Sequence, residues 1–183
     1  MRQLIEFWKL ALRLKNEPRR GWFQRVGLEE IESVADHSFG VAILSLFEAE
    51  RRGYDVGHVL KLALVHDLEE AITGDLTPTD KRKLTRKIVF HRKKVAKERI
   101  LANLPLGQKQ GYQRIWKELV AGRTREASLV KDLDKLEMAL QARYYESKGA
   151  STTEIKDFYS SARRAIKDRG LKAILDQITE ERS

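Results

Sequence analysis

The sequence predicts an all-α protein. Only three prolines and eleven glycines interrupt its 183 residues. Strict polar–apolar alternation is almost absent, and apolar residues recur instead at three- and four-residue spacing. A chain of this length can bury a substantial core as one domain. No internal repeat, low-complexity tract or linker divides it, so the expected organisation is a single domain over residues 1–183.

A first helix is expected over 2–15, stopped by Asn16-Glu17-Pro18. Residues 16–33 read as a connecting loop that carries Arg19, Arg20, Gly21, Trp22 and Arg25. Ser33 has the chemistry of an N-cap for a second helix running to about Arg52, with Gly53 as its C-cap. A third spans about 56–73 and stops at Gly74, before a turn-rich loop over 75–80. A basic helix is expected over 80–103, ended by Leu104-Pro105, with Leu84, Ile88, His91 and Val95 as its docking stripe. Residues 108–121 carry Tyr112, Ile115, Trp116 and Leu119 on one face, and 124–147 form a longer helix ended by Lys148-Gly149. Ile155, Phe158, Tyr159, Ala162 and Ile166 make 152–168 amphipathic up to Gly170, and a last short helix covers about 171–180.

Composition removes several classes of function. There is no cysteine, which excludes disulfides, thiolate metal sites and thiol nucleophiles. The apolar stripe of Met1 to Lys9 is broken by charge, unlike a signal peptide. No run approaches the roughly 18 apolar residues of a spanning helix, so the expectation is a cytoplasmic protein without membrane contact. The net charge of +9 points to anionic partners, and the excess is concentrated: Lys81–Arg99 holds ten Lys or Arg against the single acid Glu98. That segment could bind nucleic acid. Its apolar stripe and its lone aromatic, Phe90, favour a solvated helix face instead, so nucleic acid is not expected as a partner.

The chemistry concentrates in Ala63-Leu64-Val65-His66-Asp67-Leu68-Glu69-Glu70. Ionisable groups in an apolar helix are costly unless paired or bound to a cation, and His66 and Asp67 are adjacent. His37, in Val34-Ala35-Asp36-His37-Ser38, and Asp134, in Lys131-Asp132-Leu133-Asp134-Lys135, are candidates for two further ligands. Taken alone, His37 would be a satisfied core histidine, and Asp134 could simply pair with Lys131 or Lys135. Together the four make a nitrogen-and-carboxylate set for one divalent cation, and Co, Mn, Zn, Ni, Fe and Mg are not distinguished by it. Glu70 follows His66 by four residues and Asp67 by three, on the same side of a helix, where a carboxylate can accept a proton from an attacking water. Glu69 reads as a surface salt bridge. Asp75, just past Gly74, is either a turn-capping carboxylate or an acid facing substrate.

These segments, with Thr73-Gly74-Asp75-Leu76 and Pro18-Arg19-Arg20-Gly21-Trp22, resemble the HD superfamily of metal-dependent phosphohydrolases. Within it the chain is similar to the YfbR-like 5′-deoxynucleotidases, over a motif-bearing core of about residues 18–140. The resemblance implies an all-α bundle that pairs as a homodimer. It implies that His37, His66, Asp67 and Asp134 hold the cation, that Glu70 activates water, and that Asp75 sits by the scissile phosphate or sugar. Arg19 would grip the phosphate and Trp22 would pack on the sugar, although Arg19 and Arg20 are not distinguished by the pattern. The implied reaction releases phosphate from deoxyribonucleoside 5′-monophosphates. The alternatives are another HD phosphohydrolase, acting on a phosphodiester, triphosphate or signalling nucleotide, and a nucleic-acid-binding module with a structural metal.

Overall fold

The computed structural model describes residues 2–180. Helix α1 (Arg2–Arg13) leads into a 3-10 turn at Leu14–Asn16, and a short helix α2 (Arg20–Phe23) lies inside the segment expected to be loop. That segment is tied at its base. Pro18 and Ser33 form the sole β-bridge among the described residues, the Arg19 amide donates to Glu32 O at 3.0 Å, and the Val34 amide donates to Glu17 O at 2.8 Å. Helix α3 (Val34–Arg52) begins at a reciprocal capping box between Ser33 and Asp36 and ends at Gly53, whose φ of 63° suits a residue without a Cβ.

The expected helix over 56–73 is interrupted. Helix α4 (Val56–Val65) stops before His66, and α5 (Glu70–Thr73) starts four residues later. Side chains compete for the carbonyls at the break: His66 Nδ1 lies 2.6 Å from Ala63 O, and Trp116 Nε1 donates to Val65 O at 3.1 Å. The backbone shortens to i→i−3 bonds there, Leu68 to Val65 at 3.3 Å and Glu70 to Asp67 at 2.9 Å.

The basic segment is likewise two helices, α6 (Pro78–Lys83) and α7 (Arg86–Ala102). Thr77 and Thr85 each cap a helix through the hydroxyl, and Leu84 between them is extended. The expected stripe is not the docking face, since Ile88, His91 and Val95 are exposed. Ala96, Ile100 and Leu101 are buried instead, with Lys93 and Lys97 half-buried beside them.

Helices α8 (Leu106–Ala121), α9 (Arg125–Ser147), α10 (Thr152–Ala165) and α11 (Arg169–Glu180) complete the architecture. Helix α9 is central, packing against α3, α4, α8, α10 and α11. Its Leu133, Ala139 and Ala142 are fully buried with Val41 and Ala49 of α3, Leu62 of α4, Ile155 of α10 and Leu171 of α11. Helix α10 ends three residues before the expected boundary, because the amides of Lys167 and Asp168 donate to Asp132 Oδ2 at 3.0 and 2.8 Å. Gly170 therefore falls in the first turn of α11, where Asp168 accepts from the Leu171 amide. No helix among the described residues is long and apolar enough to cross a membrane.

Candidate metal centre and nucleotide pocket

Helix α3, the α4–α5 break and helix α9 bring three ligand-type atoms within 4.8 Å of one another, from His37, His66 and Asp134. The imidazoles face each other through Nε2 at 3.3 Å. His37 Nε2 lies 3.3 Å from Asp134 Oδ1, and His66 Nε2 lies 3.2 Å from Asp67 Oδ2. Asp67 Oδ2 is also 3.9 Å from His37 Nε2, so all four expected residues share one locus.

The protonation pattern suits a cation. A carbonyl only accepts, so His66 Nδ1 carries the hydrogen that points at Ala63 O. His37 Nδ1 is engaged by Glu137 Oε2 at 2.5 Å. In neutral rings bonded this way, both Nε2 atoms present lone pairs toward each other and toward two carboxylates. A divalent ion satisfies such a set, with Glu137 orienting His37 from behind. Without that ion, protons supply the missing charge. Burial alone would lower the His66 pKa, but Asp67 outweighs it and the value rises to about 9. Burial would likewise raise Asp67 and Asp134, yet His66 holds the first, and Lys135 and His37 the second, well below the ordinary carboxylate range.

Gly40, one turn beyond His37, makes room for this arrangement. A Cβ there would meet Glu137 Oε1 at 2.7 Å and its Cγ at 3.0 Å. Glu137 and Glu32, which closes the other side of the cluster, have no role assigned by the sequence reading. Glu137 could have been found by its place one turn after Asp134 on the same face.

Asp67 and Asp134 also line a cavity of about 530 Å³, within the ~300–1,000 Å³ range of small-molecule sites. Arg19 reaches into it, with Nη1 3.6 Å from Asp67 Oδ2 and 4.0 Å from Asp75 Oδ1. Burial would lower its pKa, but Asp67, Asp75 and Asp134 together raise it, so the guanidinium stays charged. Arg20 is exposed and contributes its backbone amide, which donates to Asp75 Oδ2 at 2.8 Å. Asp75 thus lines the cavity and also ties down the start of α2. Glu70 is buried in the same wall with Oε2 unbonded. Burial first, then Asp67 and Asp75, push its pKa up to about 9.

Two expectations change. Trp22 is only 1% exposed, stacked on Phe158 at 3.8 Å, with Tyr145 edge-on at 5.3 Å and Nε1 donating to Glu32 at 2.7 Å. The ring borders the cavity from behind, and the half-buried aromatic in the wall is Phe158, which the sequence reading placed on a core stripe. Glu69 is not a surface ion pair. It is 2% exposed and takes Lys93 at 3.0 Å and Lys97 at 3.6 Å, which turns two of the ten cations of the basic segment inward.

Comparison with known proteins agrees with this architecture. The family described as HD domain matches residues 11–175. A Xenopus laevis protein named 5′-deoxynucleotidase HDDC2 is 36% identical over 182 residues, covering 100% of this chain and 89% of its own. The Danio rerio protein of that name is 33% identical over 183 residues, with 100% and 90% covered. The solved structure of the PH0347 protein from Pyrococcus horikoshii OT3 superposes with a TM-score of 0.79 at 32% identity, covering 96% of this chain and 98% of that one. The chain belongs to the HD-domain family.

Proposed function

We propose that this HD-domain protein hydrolyses deoxyribonucleoside 5′-monophosphates to deoxynucleoside and phosphate. The observation that carries the proposal is the convergence of His37, His66, Asp67 and Asp134, whose two aspartates line a cavity that also holds Arg19 and Glu70. Relatives named 5′-deoxynucleotidase match along the whole chain, which supports the substrate class.

His37, His66, Asp67 and Asp134 hold one divalent cation, and Glu137 fixes the ring of His37. Such an ion supplies Lewis-acid polarisation of phosphate oxygens and lowers the pKa of water from 15.7 toward about 7. Arg19 binds the phosphate and offsets charge on its equatorial oxygens. Asp75 holds Arg19 and the start of α2 in place. A water oxygen bonds to phosphorus as the bond from phosphorus to the 5′-oxygen breaks. Glu70 Oε2 takes the water proton, and the departing 5′-oxygen takes a proton from solvent to become the hydroxyl of the deoxynucleoside. For this Glu70 must be ionised. Arg19 and Lys93 already pull its pKa down, and the added positive charge of the cation acts in the same direction.

Phe158, backed by Trp22, forms the apolar wall on the sugar side. An apolar wall rejects an added hydroxyl by about 10², so deoxyribose is preferred but not required. The chain acts as a single cytoplasmic domain and pairs as a homodimer. The exposed ridge of Phe39, Ile43 and Phe47, one turn apart on α3, supports that pairing. One observation favours a second reading. Lys81, Arg82, Lys135 and Arg164 also line the cavity, a basic border suited to nucleotides with more phosphates.

The test is phosphate release by cation-loaded protein from deoxy- and ribonucleoside 5′-monophosphates, 3′-monophosphates, triphosphates and a cyclic dinucleotide. The deoxyribonucleoside 5′-monophosphates should turn over fastest. Equal rates on ribonucleotides would remove the sugar selection, and faster triphosphate cleavage would install the second reading.

A further inference from the structure

We propose that the metal centre has a second opening, separate from the nucleotide pocket, which binds inorganic phosphate. The proposal rests on the phosphohydrolase reading, because phosphate is the product that must leave.

A cavity of about 220 Å³ is lined by His66, Asp67 and Asp134 together with Glu69, Lys93, Lys97 and Lys131. It shares Asp67, Asp134 and Lys93 with the nucleotide pocket, so the two cavities meet at the centre. Apart from α9 and Lys93, which border both, they open between different elements. The nucleotide pocket lies among α2, α6, α9 and α10, whereas the second is walled by α7, by Leu119 and Val120 at the end of α8, and by the first turns of α9. A nucleotide in the first pocket therefore leaves the second open.

Size and charge select the occupant. At ~30 Å³ per water, the second cavity holds the equivalent of about seven waters, below the ~300 Å³ at which pockets for drug-sized ligands begin. A tetrahedral oxyanion with some hydration fits, and a nucleotide does not. Three lysines balance three carboxylates in the lining, and a divalent cation beside a neutral His66 ring leaves it net positive. Lys131 is exposed and has no acidic partner among the described residues. Glu69 Oε2 is buried with no hydrogen-bond partner. That acceptor wants a donor, and hydrogen phosphate carries one O–H whereas sulfate carries none. Phosphate is thus held by the lysines and by its own hydroxyl on Glu69, while the deoxynucleoside still fills the first pocket.

The test titrates inorganic phosphate calorimetrically into cation-loaded protein saturated with a methylene phosphonate analogue of a deoxynucleoside monophosphate, which occupies the first pocket without being cleaved. Wild-type protein should bind one phosphate per chain with the analogue in place, and should bind sulfate at least tenfold more weakly. Lys131→Met should weaken phosphate at least tenfold, and Lys97→Met should do the same. Lys83→Met, on exposed α6, should change nothing. In kinetics, phosphate should lower the rate at saturating substrate as well as raise KM, and Lys131→Met should remove only the first effect. Absence of phosphate binding to the analogue-filled protein, or binding unaltered by Lys131→Met, overturns the proposal. Failure of the nucleotidase reading would show separately, as no phosphate released from any deoxynucleotide.

Discussion

Asp132 and Asp134 lie two residues apart on α9, on either side of Leu133 and each next to a lysine, and they meet opposite surroundings. Asp132 Oδ2 accepts the backbone amides of Lys167 and Asp168, fixed donors that close the joint between α10 and α11. Asp134 faces His37 at 3.3 Å, with Lys135 at 3.0 Å on its other oxygen. Backbone amides cannot change charge, so the first acid is finished as part of the fold. Around the second, every close partner is titratable, and the set is completed only by something from outside. A buried acid satisfied by main chain holds a joint together. One satisfied by other ionisable side chains marks a site.

The sharpest way to break this comparison is to remove each acid. Asp134→Ala should lose the bound cation and lower phosphate release by about 10³ or more, given that such ions supply several kcal/mol of transition-state stabilisation. Asp132→Ala should keep one cation per chain and the same rate per folded molecule. Metal content measured beside turnover separates the two outcomes.

Glu70→Gln should retain the cation and lose about 10² to 10⁴ in turnover, the span of a general acid–base group. An unchanged rate would make Glu70 another structural acid. Glu137→Gln should weaken cation binding by roughly 10 to 100-fold, since it orients His37 without being one of the four ligands. Competition with a chelator of known affinity reads that loss directly.

At the α10–α11 joint the expected effects are on stability. Asp132→Ala removes a charged acceptor from the part-buried amides of Lys167 and Asp168 and should cost about 1–3 kcal/mol in a denaturant titration. Nearby, the Arg52 guanidinium holds Asp168 at a pKa of about 2, below its ordinary 3.8. A depressed acid contributes stability that is complete above its unfolded pKa and is lost as pH falls through the folded one. The loss should therefore run from about pH 4 to about pH 2. The pair is partly exposed, so the contribution is below about 1 kcal/mol, and Asp168→Asn should abolish that pH dependence.

Much of this was legible in the sequence. Helix class and the Ser33 and Gly53 boundaries of α3 follow from local spacing, His66 and Asp67 stand out by the cost of ionisable groups in an apolar run, and His37 and Asp134 join them through the resemblance to the HD pattern. What escaped depends on distant partners. The break after Val65 exists because Trp116, 51 residues away, takes a carbonyl. The inward turn of Lys93 and Lys97 depends on Glu69 being buried beneath them, which no run of like charges reveals. Trp22 borders the pocket only from behind because Phe158, on a helix more than a hundred residues later, stacks on its face. Asp132 and Asp134 sit in one short motif, and only the arrival of α11 distinguishes them.

The most direct measurement strips the protein of metal and restores one divalent ion in sub-stoichiometric steps, following phosphate release from a deoxyribonucleoside 5′-monophosphate against ion bound per chain. The account predicts no release from the stripped protein, then a linear rise that breaks at one ion per chain. Release without any ion, or a break at two, would contradict a single cation held by His37, His66, Asp67 and Asp134.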